Sequence, residues 1–238
     1  MQAVYFEDLG TMEYQAAWDY QERLLQENLA VKTRQRVENG VDGQLVLEET
    51  RHSLLFVQHP PVYTLGKSGN IAHVLIDENT RAEKGIAFFH TNRGGDITYH
   101  GPGQLVGYPV LDLEKFGTDI GKYLRNLEEV IILTLADYGL KGQRSAGETG
   151  VWLDPQIPGR ARKICAMGVR CSRWITMHGF ALNVNNDLSA FNYIVPCGIE
   201  NKQVTSLEKE LGHPLSFSEV QDKVKTHFEE VFQVELVS

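Results

Sequence analysis

Three stretches of the chain combine residue types that could do covalent chemistry. Cys197 lies in Ile194-Val195-Pro196-Cys197-Gly198-Ile199, between a proline and a glycine. Those neighbours place it in a fixed turn where a thiol can be exposed, whereas Cys165 and Cys171 fall in apolar, strand-like runs where thiols are inert packing groups. Cys197 is the better candidate nucleophile. Lys163 opens the second stretch, Lys163-Ile164-Cys165-Ala166-Met167-Gly168. In a strand, Lys163, Cys165 and Met167 would share one face by the two-residue period. A lysine among apolar neighbours is partly desolvated and suited to moving protons. The third stretch is Arg93-Gly94-Gly95-Asp96-Ile97-Thr98-Tyr99-His100-Gly101-Pro102-Gly103-Gln104. Its glycines leave little side chain to pack and suit a loop in which backbone closely approaches a ligand. Arg93, Tyr99 and His100 could supply polar contacts there. The spacing matches neither a dinucleotide fingerprint nor a phosphate-binding P-loop. Taken singly, each stretch also has an ordinary reading, as a structural turn cysteine, a strand-end lysine and a tight glycine turn.

The elements that must position these groups follow from periodicity. Thr11 is placed to cap a helix whose apolar face is Tyr14, Ala17, Trp18, Leu24, Leu25 and Leu29. Val31 to Arg51 is polar, holds Asn39-Gly40 and Asp42-Gly43, and reads as an exposed loop or small hairpin. Leu54 to Val57 is a short apolar run ended by Pro60-Pro61, hence a buried strand, which Val62 to Leu65 continues. After the glycine run, a strand is expected around Val110 to Leu113. Asp119 to Tyr138 reads as the longest core helix, with Ile120, Tyr123, Leu124, Leu127, Val130, Ile131 and Thr134 on one face and Gly139 as its stop. Val151 to Leu153, Lys163 to Cys171 and Ile175 to Val184 read as strands. Thr205-x-x-Glu208 and Ser216-x-x-Glu219 are capping boxes opening a short and a long helix. The mixture has no βαβ rhythm, so an α+β fold is expected, with a mixed or antiparallel sheet flanked by helices. With no repeat or dividing linker, residues 1–238 are expected to form a single catalytic domain.

Bulk properties narrow the class. The 238 residues are 42% hydrophobic and 23% charged, enough to bury a core without disulfide or metal staples. No run is long and apolar enough to span a membrane, and the N-terminus lacks the pattern of a secretory leader. Three cysteines without C-x-x-C spacing suggest reduced thiols and a cytoplasmic location. The eight histidines are scattered, with no metal-ligand motif. A net charge of −8 argues against nucleic-acid binding. Arg160, Arg162, Lys163, Arg170 and Arg173 nevertheless follow one another without an acidic residue from Gly159 to Arg173, which suggests a docking face for an anionic partner.

Together the stretches point to one family. The run Arg93 to Gln104, the segment Lys163 to Gly168, the segment Met177-His178-Gly179-Phe180-Ala181-Leu182-Asn183 and Pro196-Cys197-Gly198-Ile199 resemble the lipoyl(octanoyl) transferases in order and spacing, from about Phe56 to Leu207. The resemblance implies the biotin/lipoyl protein ligase-like fold. It implies transfer of an octanoyl group from octanoyl-acyl carrier protein to a lysine of a lipoyl domain. Acceptors would be the lipoyl domains of 2-oxoacid dehydrogenase E2 subunits and the glycine cleavage H protein. No cofactor and no metal are implied. By position, Cys197 would carry the acyl group as a thioester and Lys163 would tune it. Arg93, Gly94, Gly95, Asp96, Ile97, Thr98, Tyr99 and His100, with Ala166, Met167, Gly168, Gly179, Phe180 and Ala181, would line the acyl site.

Cysteine suits this role because a thioester donor exchanges readily with a thiolate, and the new thioester still reacts with an amine. Three rivals make different demands. An ATP-dependent lipoate–protein ligase on the same fold activates a free acid and needs no acyl-cysteine. A Cys–His hydrolase using His100 or His178 would release free acid. A binding module would form no adduct at all.

Overall fold

The computed structural model describes residues 1–38, 48–195 and 203–238. Strand β1 (Gln2–Thr11) leads into helix α1 (Tyr14–Glu38), followed by β2 (His52–Gln58), β3 (Val62–Leu65), α2 (Glu78–Glu83), β4 (Ala87–His90), β5 (Ile97–His100) and β6 (Gln104–Val110). Helix α3 (Ile120–Ala136) precedes β7 (Gln143–Ser145), β8 (Glu148–Leu153), β9 (Arg162–Ser172) and β10 (Ile175–Asn183). Strand β11 (Gln203–Val204), α4 (Leu207–Leu211), α5 (Phe217–Phe232) and β12 (Val234–Val237) complete the order.

The main sheet runs β12-β1-β2-β6-β10-β9-β8-β7, with β11 added beside β9. Its centre is antiparallel, while β1 pairs in parallel with both β12 and β2. Strand β2 shows why the sheet is covered on both sides. Leu54 and Phe56 face one core with Leu127, Val130 and Ile131 of α3 and Val220, Val224 and Phe228 of α5. Leu55 and Val57 face a second core with Ala17, Leu24 and Leu25 of α1. An apolar run without alternation is what a strand buried on both faces requires. A small sheet, β4-β3-β5, carries a third core around Tyr63, Leu65, Ile97 and Tyr99.

The α+β architecture and the closing helix agree with the sequence reading, as does the core helix α3, although α1 at 25 residues rather than α3 at 17 is the longest. The Asp119 side chain accepts from Lys122 N at 2.9 Å and caps α3, and the Ser216 side chain caps α5. Other elements differ. Thr11 ends β1 rather than capping a helix. The residues from Val31 to Glu38 continue α1 instead of forming a loop. Lys32 explains the difference: its ammonium is buried and pairs with Asp112 at 2.8 Å and the Arg173 carbonyl at 2.9 Å, so a polar residue faces inward. Asn39-Gly40 and Asp42-Gly43 lie outside the described residues. The strand expected near Val110 to Leu113 is β6, which ends at Val110; Leu113 starts a short 3-10 turn. Helix α4 is capped by Ser206 rather than Thr205, whose hydroxyl instead donates to Glu210 at 2.6 Å.

Candidate active site

Strands β9 and β10 form one wall of a cavity. In their antiparallel register Ala166 faces Ala181, Met167 faces Phe180 and Gly168 faces Gly179, so two segments singled out by sequence are opposed residue for residue. All six line the cavity. Lys163 lines it too, as well as an adjoining outer groove of about 1160 Å³. Its ammonium sits 4.6 Å from the centre of the Trp152 ring, and the residue is buried. The two-residue alternation expected on this strand is broken. Val151 and Trp152, adjacent on β8, pair with Cys165 and Lys163, two apart on β9. Such a bulge re-aims side chains locally. Lys163 therefore enters the cavity while Ile164 and Cys165 both enter the main core, which corrects the expectation that Lys163 and Cys165 share a face.

The glycine run supplies the facing wall. Gly94 N–H donates to the Val169 carbonyl at 2.9 Å, laying the loop on β9. A Cβ on Gly168 would stand 2.7 Å from the Gly94 carbonyl oxygen, so only glycine permits this approach. The Arg93 guanidinium is buried and donates to the Thr64 carbonyl (2.6 Å), the Thr64 hydroxyl (2.9 Å) and the Asp96 carbonyl (2.8 Å). It thus holds the loop's shape. Asp96 accepts from Ile97 N at 2.7 Å and, through its other oxygen, pairs with His73 Nδ1 at 2.5 Å. Gly95, Asp96, Ile97, Thr98 and His100 line the cavity with Arg93, and Gly94 lines the outer groove. Tyr99 lines neither: its ring packs on Tyr63 and Phe191 in the third core, because β5 alternates its faces. Gly168→Ala is expected to push the loop off β9 and lower transfer activity tenfold or more, with little loss of melting temperature. Steady-state kinetics alongside thermal melts will check this.

The far end of the cavity was not legible in sequence. Tyr14 from α1, Val106 and Tyr108 from β6, and His178 from β10 join His100 there. Tyr108 Oη and His59 Nε2 are 2.7 Å apart, and His59 Nδ1 lies 2.7 Å from the Met12 carbonyl. His100 Nδ1 bonds Gln104 Oε1 at 2.8 Å. Burial lowers the pKa of His59 to about 4, and burial aided by the charges of Arg93 and Arg170 lowers that of His178 to about 3. Burial, with His59 next, also holds His100 well below the ordinary imidazole range. The cluster is polar and uncharged. Local signals for it came only through His100 of the glycine run and His178 of the Met177 to Asn183 segment.

Residues 13–229 match the lipoyl protein ligase A/B catalytic domain family. The chain is 57% identical to an octanoyltransferase of Christiangramia forsetii over 96% of this chain and 95% of that one. It is 55% identical to an octanoyltransferase of Flavobacterium psychrophilum over 98% of each. The chain belongs to the octanoyltransferase family. The enzyme is thus an acyltransferase that moves octanoyl groups in protein lipoylation. Its fold matches a solved bipartite lipoate protein ligase of Thermoplasma acidophilum, with a TM-score of 0.68 and 17% identity, covering 100% of this chain and 87% of that one.

In this octanoyltransferase the two described thiols are buried or half-buried. Burial pushes up the pKa of both, strongly for Cys165. Cys197 lies outside the described residues. The basic run does not form one docking face. Arg162 is clamped by Glu210 (2.6 Å) and Asp154 (2.7 Å), Arg170 pairs with Glu22 (2.7 Å), and Arg173 donates to the Leu29 carbonyl (2.6 Å). Lys163 is buried, while Arg160, at 66%, and Arg173 are exposed. The run is divided because Arg162 meets carboxylates of α4 and the Asp154 turn, whereas Arg170 meets one from α1. Among the described residues no group of three His, Cys, Asp or Glu could hold a metal ion, and no helix is long and apolar enough to cross a membrane.

Proposed function

We propose that octanoyl transfer proceeds through a thioester on Cys197, with Lys163 moving the protons, from octanoyl-acyl carrier protein to a lipoyl-domain lysine in the cytoplasm. The observation that carries this reading is the place of Lys163, which lines both the inner cavity and the adjoining outer groove. An acyl chain fits the first and a partner's reactive group approaches through the second. Both ends of the segment bearing Cys197 are tied close to this junction. Before it, Val195 N–H donates to the His73 carbonyl at 2.8 Å, and the His73 ring pairs with Asp96 at the cavity wall. After it, Val204 of β11 pairs with Lys163, and Thr205 N–H donates to the Lys163 carbonyl at 2.9 Å.

In the first half-reaction the Cys197 thiolate attacks the donor thioester carbonyl. The carbon–sulfur bond to the carrier breaks, and the departing thiolate takes a proton delivered by Lys163. In the second, the lipoyl-domain amine attacks the acyl-cysteine, loses a proton through Lys163, and expels the Cys197 thiolate as the amide forms. The donor is already activated, so no nucleotide enters the balance. The acceptors are the lipoyl domains of 2-oxoacid dehydrogenases and the glycine cleavage H protein.

The test is incubation with octanoyl-acyl carrier protein without ATP, followed by peptide mass spectrometry. An octanoyl thioester on Cys197 that is discharged by added lipoyl domain is expected. An adduct on Cys165 would overturn the choice of nucleophile, and transfer that required ATP and free octanoate would overturn the thioester route.

A further inference from the structure

A carboxylate is buried between the core helix and the strand beside Lys163. Glu128 of α3 is fully sealed from solvent, among Leu127, Val130 and Ile131 of the main core. Its Oε1 accepts from Gly150 N–H of β8 at 2.9 Å. Its Oε2 pairs with Arg125 at 2.8 Å and with Arg144 at 3.1 Å. Arg144 also donates to Glu129 at 2.5 Å and to the Arg125 carbonyl at 2.9 Å, so the carboxylate is held through both oxygens. Burying a charge is costly even when it is paired, and an apolar side chain of similar size is often no less stable in its place. Stability alone does not account for a glutamate here.

What Glu128 holds lies next to the site. Gly150 immediately precedes Val151 and Trp152, the pair at which β8 and β9 slip out of register. It takes φ of +115°, and a Cβ there would stand 2.5 Å from the Cys165 carbonyl oxygen. The bulge thus begins at a backbone that only glycine permits and that Glu128 grips from the helix side. Within the bulge, Trp152 pairs with Lys163 and sets its ring against the Lys163 ammonium. Glu128 also follows Ile120 and Leu124 at four-residue steps along one ridge of α3. Those two line the outer groove together with Gly147, Glu148 and Thr149 of the β7–β8 hairpin. One carboxylate therefore joins the groove wall to the bulge.

We propose that Glu128 is a positioning residue for acyl transfer: by holding Gly150 it sets the bulge that directs Lys163 into the cavity. Glu128 touches neither the acyl group nor the acceptor and acts through Lys163 alone. The assignment rests on the reading of Lys163 as the group that moves protons. Without the Gly150 bond, β8 and β9 are free to relax toward regular pairing. In that pairing Lys163 shares the face of Cys165, which is buried in the main core, and turns away from the cavity. A displacement of ~1 Å at a reacting group is enough to lose about 10²-fold in rate.

The test is a double-mutant cycle, because residues that act through one another are non-additive. Octanoyl transfer to a lipoyl domain is measured for the wild type, Glu128→Leu, Lys163→Ala and the double variant. Glu128→Leu is expected to lower kcat at least tenfold, with the KM for the lipoyl domain changed less than threefold. On top of Lys163→Ala the same substitution should cost less than threefold. A merely structural role lowers both backgrounds by the same factor. That outcome, full activity in Glu128→Leu, or a change confined to KM would overturn the positioning role while leaving Lys163 in place. If Glu128→Leu does not fold, Glu128→Asp decides: it keeps the charge that faces Arg125 and Arg144 but draws the carboxylate back from Gly150 by ~1.5 Å. Its kcat should fall threefold or more, and the fall should vanish in the Lys163→Ala background. No fall, or an equal fall in both, would overturn the proposal. Undiminished transfer by Lys163→Ala itself would sink the reading of Lys163, and the positioning role with it.

Discussion

Replacing Lys163 by alanine is expected to slow transfer to the lipoyl domain by about 10²–10⁴-fold, the range over which a positioned acid–base group acts, and to slow self-acylation much less. The asymmetry follows from the two chemistries. Thiol–thioester exchange is nearly balanced, and shifting a thiol's ionisation raises the thiolate fraction while lowering its nucleophilicity, for a small net gain. The acceptor presents the larger barrier. A free lysine with pKa ~10.4 is neutral in only about one molecule in 2,500 at pH 7. A base held at the acyl carbon is therefore worth most in the second half-reaction. The structure puts the Lys163 ammonium under the Trp152 ring and its backbone in the β11 ladder, so its position is set from both ends. Lys163→Arg should fail as alanine does, since guanidinium stays protonated. Rapid-quench measurement of each half-reaction separates the two steps, and equal losses in both would remove the proposed division of labour.

The second large effect concerns pH. The unfolded chain takes up protons on histidine near the ordinary value of ~6.5, whereas the folded chain admits one at His59 only near 4 and at His178 only near 3. Below pH 6.5 the unfolded state binds more protons, so stability falls as pH falls. At pH 5 each of these two residues withdraws roughly 2 kcal/mol, or about 4 kcal/mol together, and His100, held low by burial, acts in the same direction. That is a large share of the ~5–15 kcal/mol typical of a folded domain. The carboxylates held low by their partners, such as Glu210 beside Arg162, add losses only at lower pH. Urea unfolding at pH 7 and pH 5 should show this drop, and a midpoint that does not move would mean the three imidazoles are reached by solvent.

Much of the fold was readable from local pattern. Helices α3 and α5 declare themselves through Asp119, Ser216 and their apolar faces, and β8, β9 and β10 through apolar content. Strand β1 did not, because Glu7, Asp8 and most of its residues are not buried and only Val4 is sealed in the core. Helix α1 ran past its apparent end because Lys32 is satisfied by Asp112, eighty positions away. The site divided along the same line. The motif residues Arg93 to His100, Ala166 to Gly168 and Gly179 to Ala181 converge, with Tyr99 turned aside by strand alternation. Tyr14, His59 and Tyr108 were missed because what brings them to His178 is the sheet order, in which β6 lies between β2 and β10. No spacing within any one segment encodes that meeting. The bulge that turns Lys163 into the cavity is likewise a property of two strands at once.

The cavity wall made by Ala166, Gly168, Gly179 and Ala181 has an evolutionary consequence. These positions hold almost no side-chain atoms, so substitution there can add bulk but has next to nothing to remove. At Gly168 and Gly179 even one added carbon would meet a backbone oxygen, at 2.7 and 2.2 Å. Mutation along this wall is therefore a ratchet. It can narrow the acyl site or displace the backbone around it, while descent toward longer chains must pass through Met167, Phe180 or the histidine end.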